Sequence, residues 1–147
     1  MTHAPPGPAR PARRPTPVQE TPREDAAVSR GREEQVAFVG ALRKLDAHWA
    51  ASFNDGDFFD LHYSSLFTEM WLRDGRPVPR TEAYGFMQSL SPQTAMKYLN
   101  RALQEGYLLE VENPDDRRSR LIAMSPKLKA RLDALIDYAL AEFRKAL

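Results

Sequence analysis

The residues of this chain best suited to chemistry are cations and hydrogen-bonding side chains grouped in two places. Arg117, Arg118 and Arg120 fall within four residues, directly after the polar turn Asn113-Pro114-Asp115-Asp116. Strand-like runs at Leu108–Glu112 and at 119–124 flank that turn, which puts the arginines at the tip of a two-stranded ribbon. A guanidinium forks onto phosphate oxygens, and it is favoured in narrow minor grooves where the negative potential is enhanced. Asp116 is expected to hold the loop by pairing with a neighbouring arginine. The second group is Gln93, Thr94, Lys97 and Arg101, with Tyr98 at its edge, all on one face of a short helix that opens at Ser91-Pro92. Lys and Arg neutralise phosphates or pair with guanine, Gln pairs with adenine, and Thr contacts a thymine methyl. In this reading Gln93 and Thr94 near the helix start meet base edges, and Tyr98 touches phosphate.

Each group has a plainer explanation when taken alone. The helix could be an ordinary amphipathic surface helix, and a single arginine could cap a solvated hairpin. The two in succession, a helix with a cationic face followed by an arginine-tipped ribbon, point to a winged helix-turn-helix that binds double-stranded DNA.

The elements that must position these residues are legible around them. Ser91 caps the helix with its side-chain oxygen, and Pro92 at the first helical position wastes no donor. Gly106 closes the helix by supplying a left-handed residue. Ala95, Met96, Leu99, Ala102 and Leu103 are its apolar face. Upstream, a first helix spans about 33–53, with Phe38, Leu42, Leu45, Trp49 and Phe53 on one stripe. Asn54-Asp55-Gly56-Asp57 breaks it. An aromatic-rich second helix follows to about Arg73, bearing Phe58, Phe59, Tyr63, Phe67 and Trp71, and Asp74-Gly75 ends it. A short third helix from Pro79 to about Gln88 is separated by only Ser89-Leu90 from the Ser91 cap, as a helix-turn-helix requires. A last helix from about Pro126 carries an apolar stripe from Leu128 to Leu147, broader than a small winged domain covers by itself.

From about Glu33 onward the chain resembles the MarR-type winged-helix transcriptional regulators. The resemblance lies in LSPQTAMKYLNRALQEGYL at 90–108 and NPDDRRSRLIAMS at 113–125. The family's wing reads approximately D-P-x-D-R-R-x-x-x-L-x-L-T, which Pro114, Asp116, Arg117, Arg118 and Met124 match. Asn113 and Ser125 are mild departures from it, and Pro126-Lys127-Leu128 replaces the common E-K-G. The resemblance implies a mainly α fold with a small β-wing, a winged helix-turn-helix domain with N- and C-terminal dimerisation helices. It also implies a homodimer placing two recognition helices on a pseudo-palindromic operator. For many members it implies a small aromatic or phenolic effector, for which Trp49, His62, Phe67 and Trp71 are the candidate residues here; ordinary core packing accounts for the same aromatics. The expected domains are a Pro/Arg-rich tail at 1–32 and a winged-helix domain at 33–147. Within the latter, 76–125 is the DNA-binding core, and 33–57 and 126–147 are the dimerisation helices.

Composition narrows the function classes. Residues 1–32 hold seven of the 12 prolines and almost no large apolar side chains, the composition of a disordered segment. Arg10, Arg13 and Arg14 lie in it, and it is read as a solvated leader in preference to a DNA-tracking arm. The net charge of +1 conceals a division: 33–75 carries three basic and eight acidic residues, whereas 76–131 carries ten basic and six acidic. A local cationic excess is what phosphate binding needs. With no cysteine, thiolate nucleophiles and cysteine-ligated metals are excluded. His3, His48 and His62 form no metal-spacing motif, and Ser64 and Ser65 lack the context of a nucleophile elbow. No cofactor, metal or catalytic group is expected. With no signal-like or membrane-spanning apolar run, a cytoplasmic location is the simplest expectation. The expected function is a sequence-specific DNA-binding transcriptional regulator, in the repressor sense and responsive to a small ligand. The alternative is a winged helix used as a protein-interaction module or a nonspecific architectural DNA-binding factor.

Overall fold

The computed structural model describes residues 2–13 and 22–147, the side chains of 22–30 excepted. The chain divides into two units, Met1–Glu33 and Glu34–Leu147. In the first, residues 2–13 have no regular secondary structure, and the expected tail between 14 and 21, with Arg14, lies outside the described residues. The second holds the core. Its elements run from α1 (Pro22–Ser52), which begins in the first unit, through α2 (Leu61–Leu72), β1 (Val78–Pro79), α3 (Arg80–Gly85), α4 (Pro92–Gln104), β2 (Leu108–Glu112) and β3 (Arg120–Met124) to α5 (Pro126–Ala146). Among the described residues, no helix is long and apolar enough to cross a membrane.

Three boundaries depart from those read off the sequence; one is that of the second helix, which opens at Leu61, so that Phe58 and Phe59 precede it instead of lying on it. Apolar spacing opens the first helix near Glu33, but it opens at Pro22, so the tail boundary at 32 falls inside a helix. Pro22 at the first helical position, followed by Glu24 and Asp25 and then Ala26-Ala27, is a helix start written in propensity and charge, without the apolar stripe that marked the rest. The third helix is only six residues long: Pro79, taken as its first residue, pairs in the sheet instead, and the helix stops at Gly85, short of Gln88. Val78 and Pro79 sit opposite Ile122 and Leu121, giving a three-stranded antiparallel sheet in the order β1-β3-β2. Pro79 is tolerated there because β1 is an edge strand. Two residues show no periodicity, so this strand had no signal in the sequence.

The ends around α4 are closed as its residues dictate. The Ser91 side chain accepts from the Thr94 amide at 3.2 Å. At the other end Gly106 has φ 77°, while its amide reaches the Leu103 carbonyl and the Tyr107 amide reaches that of Ala102. This is a Schellman closure, in which a left-handed residue lets the chain satisfy two carbonyls the helix leaves open. It also turns the chain so that Tyr107 enters the core directly. In the turn before α4, Ser89 has φ 71°, a left-handed conformation unusual for a residue with a Cβ.

The core is aromatic at its centre. Phe53 at the end of α1, Phe58 in the following loop, Phe67 on α2 and Tyr107 before β2 are fully buried. Tyr107 stands edge-on to Phe58 with centroids 4.7 Å apart, and lies 5.6 Å from Phe53 and 5.5 Å from Phe67. Rings with a negative face and positive edge prefer such tilted arrangements, and burying each contributes about 1.5–3 kcal/mol. Leu66, Leu99, Leu108, Ile122, Leu128 and Leu132 complete this core, so α2, α4, the sheet and α5 share it.

Tyr107 also carries a polar end into a cluster of charges. Its hydroxyl donates to the Asp55 carboxylate at 2.6 Å and accepts from Arg131. Arg131 also reaches the Ser52 carbonyl (3.1 Å) and Asp55 (3.4 Å). Lys127 donates to the Glu105 carbonyl at the end of α4 (3.0 Å) and lies over the Tyr107 ring. One buried phenol thus joins the end of α1, the end of α4 and the first turns of α5. Burial alone would raise the Asp55 pKa, but the Tyr107 hydrogen bond, backbone hydrogen bonding and the charges of Arg131 and Lys127 together hold it below 3.8. Burial and the Asp55 hydrogen bond push the Tyr107 phenol well above its usual range.

These shifts set the pH dependence of stability. A depressed carboxylate contributes fully above its ordinary value and loses that contribution as pH falls through the folded-state pKa; the raised phenol contributes fully below about pH 10 and loses it above. Asp55→Asn should therefore flatten the acid limb of a stability profile followed by urea denaturation. It should also lower stability at neutral pH by about 1–2 kcal/mol, the low end for a charged hydrogen bond because the group is partly exposed. An unchanged acid limb would show that Asp55 does not tie the junction.

Candidate nucleic-acid interface

The helix-turn-helix is α3, the turn through Ser89 and Leu90, and α4. Helix α4 buries Ala95, Leu99 and Ala102. Its opposite face is therefore set by geometry: at 3.6 residues per turn, Gln93, Lys97, Asn100 and Gln104 point away from those three, and all four are exposed. Met96, placed with the apolar face by its hydrophobicity, is 43% exposed and borders this outward surface. Asn100 and Met96 are thus residues of the candidate surface that side-chain type alone did not single out. Their position one turn from Gln93 and Lys97 was the available signal.

Thr94 is partly covered, its hydroxyl 2.9 Å from Ser91 Oγ. Ser91 is exposed but serves as the helix cap, so its hydroxyl is already engaged.

Tyr98 and Arg101 are turned sideways toward the loop between α1 and α2. The Tyr98 hydroxyl donates to Asp60 at 2.8 Å, and its backbone carbonyl accepts from Tyr63 at 3.0 Å. Hydrogen bonding to Asp60, burial and the Asp60 charge raise the Tyr98 pKa, in that order. Arg101 lies 3.1 Å from the Asp57 carboxylate and over the Phe58 ring. The loop approaches closely enough here that a Cβ on Gly56 (φ 153°) would lie 3.1 Å from the Arg101 guanidinium. Charge and helix face group Arg101 with the groove-facing residues, in reach of a base or a phosphate, and Tyr98 with the phosphate contacts, yet both have partners within the chain. They fix the loop and α2 against α4. A loop so far upstream gave no sign of this from spacing alone.

Arg80, which belongs to no sequence motif, positions the helix from the other side. Its guanidinium donates to Glu110 on β2 (2.8 Å) and to the Asn100 side-chain oxygen (2.5 Å), and its Nε donates to the Tyr84 hydroxyl (3.2 Å). It ties α3, α4 and the sheet together. With its oxygen so occupied, Asn100 keeps its amide N–H groups for an outside acceptor; among the described residues they have none.

The wing is built by its own backbone. Asn113 Oδ1 accepts from the Asp115 amide (3.0 Å), and the Asp116 carboxylate accepts from the Arg118 amide (3.0 Å). Asp116 was expected to hold the loop through an arginine side chain; it does so through a backbone N–H, as Asp in turns commonly does. Arg117, Arg118 and Arg120 are exposed and, among the described residues, make no ion pair.

The four candidate effector residues are not brought together. Phe67 is fully buried in the core, and His62 stands edge-on to Tyr98 with centroids 5.5 Å apart. The Trp71 indole donates to Asp133 at 2.9 Å and lines a cavity of about 410 Å³ near the start of α5. Of the four, Trp49 alone lines the larger cavity, of about 580 Å³, which lies between α1, α2 and α5 and not between α2 and the helix-turn-helix. Leu45, Phe59, Ile136 and Phe143 are among its apolar walls, with Ser64 and Thr68 on α2. The Trp49 indole N–H is buried and, among the described residues, has no hydrogen-bond partner.

No protein-family model matches the chain, and no curated protein matches it either. Solved structures do. RV1404 from Mycobacterium tuberculosis is similar with a TM-score of 0.55 at 13% identity, over 89% of this chain and 82% of that one. A probable transcriptional regulator from Pseudomonas aeruginosa is similar at 0.48 and 24% identity, over 72% and 79% of the two chains. A putative MarR-like transcription regulator from Bacillus cereus gives 0.45 and 15%, over 80% and 82%. At 13% identity, what the likeness to RV1404 shows is the fold. With a capped α4 set behind a short turn and an arginine-bearing β2–β3 ribbon after it, this chain is a mainly helical winged helix-turn-helix protein.

Proposed function

We propose that the chain is a MarR-type transcriptional regulator that binds double-stranded DNA sequence-specifically as a homodimer, in the repressor sense, and that a small aromatic or phenolic ligand modulates it. The observation that carries the reading is the pairing of two solvent-facing surfaces on one winged helix. One is the polar outward face of α4, with Gln93, Lys97 and Asn100; the other is a wing whose three arginines have no acidic partner among the described residues. Cations left unpaired at the surface are free to displace counterions from phosphate, and the neutral amides on α4 add hydrogen-bonding capacity for base edges.

Dimerisation is supported by an apolar surface left open along the terminal helices. Val36, Phe38, Val39 and Leu42 on α1, Leu140 on α5 and Leu147 at its end are exposed. The two helices already pack together through Phe38 on Phe143 (5.3 Å), His48 stacked on Tyr138 (4.1 Å) and Lys44 paired with Glu142 (3.1 Å). An exposed apolar patch of this kind marks an interaction surface. Ligand response is supported by the 580 Å³ cavity, whose volume suits a small ligand and whose walls come from both terminal helices and α2. Trp49, with its unpaired indole N–H, is the candidate residue retained there.

Selection from a random duplex pool should enrich one pseudo-palindromic sequence, bound by about 10³-fold or more over random DNA; a ratio near one would replace this reading with a nonspecific architectural factor. On that sequence, the double substitution Arg117→Ala/Arg118→Ala should weaken binding strongly. It should also reduce the logarithmic salt slope by about four, since each protomer of the dimer loses two arginines and each arginine neutralises one phosphate. Val39→Glu with Leu42→Glu should convert the dimer to monomer in sedimentation experiments while leaving the helical circular dichroism in place. Finally, a thermal-shift screen of aromatic carboxylates and phenols should return a stabilising compound that releases the DNA. A screen with no stabilising compound would leave the cavity a packing defect.

A further inference from the structure

Met96 occupies a place on α4 that packing does not explain. The helix buries Ala95, Leu99 and Ala102, and apolar residues elsewhere on it turn inward, but Met96 is 43% exposed. It stands one turn from both Gln93 and Asn100 and next to Lys97, all of them exposed and polar. A thioether in that setting neutralises no phosphate, donates no hydrogen bond and is only a weak acceptor. Its chemistry is apolar contact with a flexible, polarisable surface. Of the features a base pair presents in the major groove, the thymine C5-methyl is the apolar one. From these observations, and resting on the proposed DNA-binding function, we propose that Met96 is a specificity-determining residue that selects thymine by covering its C5-methyl in the major groove.

The neighbours make the contact selective. Gln93 and Lys97 offer donors and acceptors to the flanking bases. Asn100, its oxygen held by Arg80, presents N–H groups to an acceptor one step along. Met96 is then the one outward side chain of this group without a hydrogen-bonding role, and a cytosine beneath it would offer no methyl in place of thymine's. Hiding a single methyl and the facing thioether from water corresponds to roughly a four-fold change in affinity per half-site, from about 0.8 kcal/mol per buried CH₂-sized group.

The test uses the full chain and the duplex it enriches from a random pool. Each thymine of that duplex is replaced in turn, symmetrically in both half-sites, by deoxyuridine, which removes the methyl and leaves every hydrogen-bonding group unchanged. One position should weaken the unmodified protein by about ten-fold or more, the squared effect of two half-sites. At that position Met96→Ala should bind thymine and uracil duplexes equally, while Met96→Leu should keep most of the thymine preference. Because the side chain is exposed and Ala is a strong helix former, the variant is expected to fold, and the unmodified protein supplies its own uracil result in any case. If no uracil position weakened binding, or if Met96→Ala kept the full uracil penalty, this inference would be overturned and the proposed function left standing. A pool that yielded no enriched sequence would overturn both.

Discussion

The arrangement of this protein depends on Tyr107, a phenol that must be buried at its ring and satisfied at its hydroxyl. Gly106 delivers it into the core immediately after α4, where it meets Phe53, Phe58 and Phe67. A hydroxyl carried that deep would be costly if left unpaired. Asp55 and Arg131 pair it, and in doing so they draw the loop after α1 and the first turns of α5 to the end of α4. The apolar requirement of the ring and the polar requirement of its oxygen therefore act on the same three segments. A shift of α5 relative to α1 would have to break this cluster or carry α4 with it.

The same loop serves α4 further along its length. Between 55 and 60 it places three carboxylates against the helix and its flanks: Asp55 on Tyr107, Asp57 on Arg101 and Asp60 on Tyr98. Arg80 grips the helix from the sheet side. Held on two sides and buried on a third, α4 leaves one strip open, made of Gln93, Met96, Lys97, Asn100 and Gln104. Side chains on such a rigid support have little ordering entropy left to lose on meeting a partner. The acidic excess of residues 33–75 is partly accounted for here, since several of those carboxylates tie the α4 segment and α5 in place.

What the amino-acid sequence determined by itself was whatever depends on local rules. Ser91 and Pro92, Gly106, and Ser125 with Pro126 are stop and start signals read by the backbone next to them, and α4 and α5 begin where those signals stand. The alternation and turn residues of 108–124 placed both wing strands to within a residue. Only tertiary structure could decide the rest, because it turns on partners distant in sequence. Arg101 and Tyr98 look like groove residues until Asp57 and Asp60, from a loop far upstream, are folded beside them. Met96 looks like core until the true inward face of α4 is set by what packs on it. Trp49, His62, Phe67 and Trp71 share a composition but not a cavity, since three helices meeting at particular angles determine where space is left. The two-residue strand Val78–Pro79 exists only because β3 lies alongside it. Propensity and periodicity act over a few residues, whereas burial, ion pairing and cavities are properties of surfaces brought together by the fold.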